Sequence, residues 1–156
     1  MKVYRIERKK YLNSTLTGTG AARTEGFRWN SLHTYLVYTS ASRALAMLEV
    51  SVHLDLSEDL PTDRYCLEIE IPDELEILEL HPDDLPDDWD AKPPILATQF
   101  IGDGFAKGNS APLLKVPSAI VPLEYNYLIN PNHPEALKIK VVSKVCLTFD
   151  KRWNQA

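Results

Sequence analysis

Residues 64–71 alternate with a period of two. Tyr65, Leu67, Ile69 and Ile71 interleave with Cys66, Glu68 and Glu70. An extended segment with that pattern carries one apolar and one polar face, the pattern of a half-buried strand. Further strands are expected at 3–6, at the β-branched and aromatic run 35–39, at 74–80, and at 113–116, where Pro117 ends the run. A last strand is expected over 138–149, broken near Ser143. Ser40 or Ser42 can cap a helix running to about His53, with Ala44, Leu45, Leu48 and Val52 spaced to face the core. Residues 95–106 suit a short helix that Gly102 and Gly104 weaken. Residues 13–26 read as a Thr-, Ser- and Gly-rich loop. The acidic, proline-rich stretch 81–94 around Trp89 reads as a surface excursion. Strands outnumber helices and the helices are dispersed, so the expected fold class is α+β, one domain over 1–156 with a mostly antiparallel sheet core.

Composition narrows the function classes. At 156 residues and 44% hydrophobic content the chain has enough apolar material for a core. Its net charge of −5 argues against a generic nucleic-acid binder, which normally carries a basic face. Cys66 and Cys146 have no nearby Cys or His partner, so neither a zinc site nor a disulfide framework is expected. The first ten residues alternate charged and apolar side chains without an apolar stretch, which is not a signal-peptide pattern. No run approaches the roughly 18 apolar residues of a membrane span. These features point to a cytoplasmic protein.

Several clusters look out of keeping with plain packing. In Gly26-Phe27-Arg28-Trp29-Asn30 a turn presents an arginine beside an aromatic. Arg28 is either a surface arginine stacked on Trp29 or a rigid fork of donors for a phosphate or carboxylate. Glu49 lies in a run, 44–52, that is otherwise apolar apart from Ser51, one helical turn from Leu45. It points to solvent or is held near the core for a purpose, and a carboxylate there suits a developing sugar cation. Ser118 follows Pro117 at a strand end, where a turn-forming role competes with a functional one. In residues 126–134, Pro131 and Pro134 enforce a non-helical turn, and His133 suits a structural role better than that of a base. No phosphate-binding loop, dinucleotide glycine fingerprint, nucleophile elbow or paired-histidine metal motif occurs. Any chemistry would use Arg, Glu, Tyr and Ser without a metal.

In their order along the chain these segments resemble the RES domain, the toxin half of RES–Xre toxin–antitoxin systems. The resemblance runs through Val3-Tyr4-Arg5-Ile6, Gly18-Thr19-Gly20-Ala21-Ala22, Arg28-Trp29-Asn30 and Val37-Tyr38-Thr39. It continues through Ala46-Met47-Leu48-Glu49-Val50, Val116-Pro117-Ser118-Ala119, Asn126-Tyr127-Leu128 and Asn130-Pro131 to Phe149-Asp150. It implies a fold similar to ADP-ribosyltransferases and consumption of NAD+ at the nicotinamide–ribose bond. It implies a catalytic pocket of Arg28, Tyr38, Glu49 and Ser118, with Arg5 and Tyr4 lining the NAD+ site alongside Arg28 and Tyr38. Phe27 departs from the small residue that many members carry before the arginine.

On that resemblance, Glu49 would face the ribose cation and Arg28 would pair with the pyrophosphate. Tyr38 and Ser118 would share stacking and hydrogen bonding at the nicotinamide ribose. ADP-ribose would pass to water, to phosphate or, alternatively, to a host metabolic enzyme. A catalytically silent binding domain is the reading from another class. The implied partner is an Xre-type antitoxin in a higher-order hetero-oligomer. Nucleic acid would be met only through that antitoxin, and membranes not at all.

Overall fold

The computed structural model describes residues 1–54 and 60–154. Seven strands form one sheet: β1 (Lys2–Arg8), β2 (Val37–Ser40), β3 (Arg64–Glu70), β4 (Ile77–Glu79), β5 (Leu113–Pro117), β6 (Tyr125–Ile129) and β7 (Lys140–Cys146). Their order is β4-β5-β6-β2-β1-β3-β7, and every neighbouring pair is antiparallel except β4 with β5. The helices are the short α1 (Thr19–Ala22), α2 (Arg43–Ser51) and α3 (Leu96–Gly108). The expected α+β class with a mostly antiparallel sheet is what the chain adopts.

Strand alternation sorts the core into two layers. Val3, Val37, Leu67, Ile69, Leu113 and Ile129 share one face, where Leu12 and Leu16 of a 3-10 segment, Lys9–Thr17, pack on them. The opposite face carries Tyr38, Leu114, Val116 and Leu128, and Phe105 and Ile101 of α3 cover it together with Trp29 and Trp89. Register places Tyr4 opposite Ser40, Ser40 opposite Asn126, and Asn126 opposite Val116. Paired residues point the same way, so a polar row of Tyr4, Ser40 and Asn126 continues that second face.

Ser42 starts α2: its hydroxyl accepts from the Leu45 amide at 3.1 Å, a cap worth about 1 kcal/mol. The helix turns a different face inward from the one expected. Leu48 and Val52 are 36% and 47% exposed and Ala44 is exposed as well, while Leu45, Ala46 and Ser51 are buried. An apolar run leaves the direction of its stripe open, and here the sheet takes the arc that contains Leu45 and Glu49.

Other expectations also need correction. The stretch 126–129, read as part of a turn, is the central strand β6; the turn begins only at Asn130, where the proline-bracketed segment starts. Residues 13–26 contain the 3-10 segment and α1 rather than a plain loop. The strand expected over 74–80 is confined to β4. The last strand is β7 alone, with a register shift opposite Glu68 and Ile69 that falls between Ser143 and Val141, near the expected break. α3 runs through both glycines, and Gly102 has a packing reason. A Cβ there would sit 1.7 Å from the Trp29 carbonyl oxygen, so only glycine lets the helix lie against that backbone. His133 caps the following 3-10 turn, Nδ1 accepting from the Glu135 amide at 3.2 Å, which is the structural role expected of it.

Candidate active site

Glu49 leaves α2 on its inward arc and reaches across to the far half of the sheet. Its Oε1 accepts from the Ser118 hydroxyl at 2.9 Å and from the Asn126 side-chain amide at 2.5 Å. The Asn126 carbonyl oxygen in turn accepts from the Ser40 hydroxyl at 2.7 Å. Ser118 stands just past β5, where Pro117 ends the strand. Its Oγ accepts from the amides of Ile120 and Val121 at 3.1 and 3.2 Å, which closes the turn. One oxygen of the partly buried carboxylate is therefore tied into the sheet.

Arg28 is held from another direction. Its guanidinium donates to the carbonyls of Trp89 at 2.5 Å, Ala91 at 3.1 Å and Asp90 at 3.2 Å. It lies 6.0 Å from the ring centre of Trp89, not against Trp29. The acidic excursion is thus no idle surface: Leu85 is buried, Trp89 packs near Trp29 with ring centres 6.2 Å apart, and the backbone of 89–91 grips the arginine. Burial holds the Arg28 guanidinium below the ordinary arginine value, opposed by the charges of Asp90 and then Glu49.

Tyr38 links the two halves. Its hydroxyl donates to Asn30 Oδ1 at 2.7 Å and accepts from the Trp29 amide at 3.1 Å, directly beside Arg28. Asn30 is fully buried, and its amide ties down the carbonyls of Ala21 and Ser31. Burial pushes the Tyr38 phenol well above the ordinary tyrosine value, against the opposing pull of the Trp29 amide. Phe27, the neighbour of Arg28 in the chain, packs on the Tyr38 ring with centres 5.0 Å apart. On β2, Tyr38 and Ser40 point to the same face, so the Arg28 and Glu49 networks meet along one strand.

Tyr4 flanks this row, paired with Ser40 and stacked under the Arg43 guanidinium at 4.6 Å. Arg5 does not join it. Its side chain lies on the other face of the sheet with Val3 and Glu7. There it pairs with Glu7 at 3.0 Å, donates to Thr15 at 3.2 Å, and reaches the Tyr38 backbone carbonyl at 2.8 Å. It braces β2 from behind. Two residues that sequence reasoning did not single out for the site, Asn126 and Ser40, join the hydrogen-bond network of Glu49; their signal was polar side chains on an otherwise apolar strand face. A groove of about 390 Å3 over β1, β3 and β7 is lined by Ile6, Met47, Cys66 and Val145 but by none of Arg28, Tyr38, Glu49 or Ser118. Among the described residues no group of three or more His, Cys, Asp or Glu side chains could hold a metal ion. None of their helices is long and apolar enough to cross a membrane.

Comparison with known proteins places this geometry in context. The family profile of the RES domain matches residues 2–150. The chain is 47% identical over 134 residues to a Sphingobium sp. protein named Prs ADP-ribosylating toxin, covering 85% of this chain and 82% of that protein. It is 39% identical over 158 residues to Toxin Res of Photorhabdus laumondii, covering 100% of this chain and 99% of the relative. Among solved structures, a chain of the M. tuberculosis MbcT–MbcA toxin–antitoxin complex superposes with a TM-score of 0.75 at 20% identity, covering 94% of this chain and 84% of that one. That likeness is one of fold.

Proposed function

This chain belongs to the RES-domain family, and on that premise we propose that it is the toxin of a bacterial toxin–antitoxin pair that consumes NAD+ by breaking the nicotinamide–ribose bond. The observation that carries the reading is the placement of Glu49: a carboxylate on the inward arc of α2, fixed by two donors on the sheet face that also carries Tyr38, whose hydroxyl takes the amide next to Arg28.

The chemistry follows from charge. In NAD+ the nicotinamide is a cationic leaving group. When the C1′–N bond breaks, its electron pair goes to the ring nitrogen and neutral nicotinamide departs without needing a proton. The ribose left behind is oxocarbenium-like, and Glu49 faces that charge, an electrostatic contribution of several kcal/mol, about 3–4 for a single well-placed group. Three donations of Arg28 go to the 89–91 carbonyls. Among the described residues its Nε–H and one Nη2–H meet no partner, a fork suited to the oxygens of a pyrophosphate. Tyr38 offers its ring beside the nicotinamide ribose, because its hydroxyl is already committed to Asn30 and Trp29. Water or phosphate then adds at C1′ and gives up a proton, closing glycohydrolysis or phosphorolysis.

A second reading is favoured by one finding, the 47% identity to a protein named as an ADP-ribosylating toxin. In that case a protein side chain, rather than water or phosphate, would attack C1′. Incubating the purified chain with NAD+ labelled in the adenylate half decides between them. Free nicotinamide with label in solution supports glycohydrolysis or phosphorolysis, label on added host protein supports transfer, and intact NAD+ refutes both. An enzyme that depletes NAD+ in its own cytoplasm requires restraint, and the proposed partner is an Xre-type antitoxin that closes the approach to Glu49 within a higher-order hetero-oligomer.

A further inference from the structure

A serine hydroxyl has one hydrogen to donate and two lone pairs to accept with. All three are in use at Ser118. The hydrogen goes to Glu49 Oε1, and the lone pairs take the amides of Ile120 and Val121. The residue is buried. To touch a substrate it would have to release the carboxylate or open its own turn.

Asn126 is held at both ends of its amide. Its Oδ1 takes the Ser40 hydroxyl, which fixes the amide so that Nδ2 faces Glu49. The position is rigid, since Asn126 lies on β6 with β2 on one side and β5 on the other, opposite Ser40 and Val116. Both donors converge on the same oxygen, Oε1, while Oε2 accepts nothing among the described residues.

We propose that Ser118 and Asn126, backed by Ser40, are positioning residues: a two-donor anchor that holds Glu49 by Oε1 and leaves Oε2 to face the sugar. The anchor rests on the reading of Glu49 as the group that meets the ribose cation. It assigns Ser118 to the carboxylate instead of to the substrate. Ordering by a rigid strand matters because an error of about 1 Å at such a group costs on the order of 100-fold in rate. The Ser40–Asn126–Glu49 relay spans β2, β6 and α2, so it also fixes how far the helix stands from the sheet.

The experiment has two readouts. Steady-state release of nicotinamide from NAD+ is measured for Ser118→Ala, Ser118→Thr, Asn126→Ala and Ser40→Ala. The anchor predicts that Ser118→Ala and Asn126→Ala lose kcat roughly 100-fold with an unchanged KM for NAD+. It predicts a smaller loss for Ser40→Ala, and near-normal kcat for Ser118→Thr, which keeps the hydroxyl. A Ser118→Ala variant with raised KM and unchanged kcat would overturn the proposal, because that is the mark of a lost substrate contact. The second readout is the crystal structure of Ser118→Ala or, should that variant not fold, of Asn126→Ala. A Glu49 carboxylate turned away from its native position supports the anchor, and one that has not moved overturns it. This comparison does not depend on turnover. A wild-type protein that leaves NAD+ intact would therefore refute the proposed function alone, and the crystal structures would still decide the anchor.

Discussion

The carboxylate of Glu49 and the hydroxyl of Ser118 meet at 2.9 Å although 69 residues separate them along the chain. Their meeting requires α2 to lie across the second face of the sheet, and it requires β5 to end where Pro117 releases the next residue into a turn. Asn126 then joins the pair from β6. A carboxylate set among donors on a mostly apolar face contributes little to folding that a leucine would not, so its placement is read through the chemistry it permits.

Arg28 should act on binding more than on bond breaking. In a Glu49→Gln background, which spares the ligand, Arg28→Lys is expected to weaken NAD+ binding at least about 10-fold by calorimetry. Lysine keeps the charge but lacks the fork that grips paired oxygens. Unchanged affinity would remove the pyrophosphate from Arg28.

Tyr38→Phe deletes the donor to Asn30 Oδ1 and the acceptor for the Trp29 amide, both in a buried setting. Leaving such groups unpaired costs roughly 1–3 kcal/mol, to be read from denaturant unfolding. The variant also isolates a pH effect. The phenol is raised in the folded state, so it supports folding fully below the unfolded tyrosine value of about 10, and that support is lost as pH rises from there towards the folded value. Wild-type stability should therefore fall faster above that pH than the stability of Tyr38→Phe. Parallel curves would contradict the burial of the phenol.

Gly102 and Gly104 of α3 should respond in opposite directions. Gly102→Ala drives a methyl into the Trp29 carbonyl and should destabilise by about 2 kcal/mol or more, displacing Arg28 with it. Gly104→Ala meets nothing within 4 Å and should stabilise by roughly 0.5–1 kcal/mol through helix propensity. Thermal melts of the pair check both signs.

What could be read in advance was local. The alternation in β3 and the apolar runs of β2 and β5 were legible because each buries a face that the sequence spells out. The inward turn of Glu49 was not, since apart from Glu49 and Ser51 the run 44–52 is apolar and only the sheet chooses its arc. Strand β6 escaped because Asn126 interrupts its pattern, and Asn126 is the residue that donates to Glu49. The hold of the 89–91 backbone on Arg28 could not be seen at all. Carbonyl groups carry no side-chain signature, and an acidic stretch looks like solvated surface wherever it lies. The family resemblance implied Arg5 beside Tyr4 as lining of the site, yet strand parity sends the two to opposite faces.

The central claim, that the anchored carboxylate of Glu49 drives cleavage of NAD+, is tested most directly by the rate of nicotinamide release from purified wild-type and Glu49→Gln protein of equal thermal stability. The account predicts steady release by the wild type and a loss of about 100–1000-fold in the variant, as expected for removal of a single electrostatic stabiliser. Equal rates in the two proteins would contradict it.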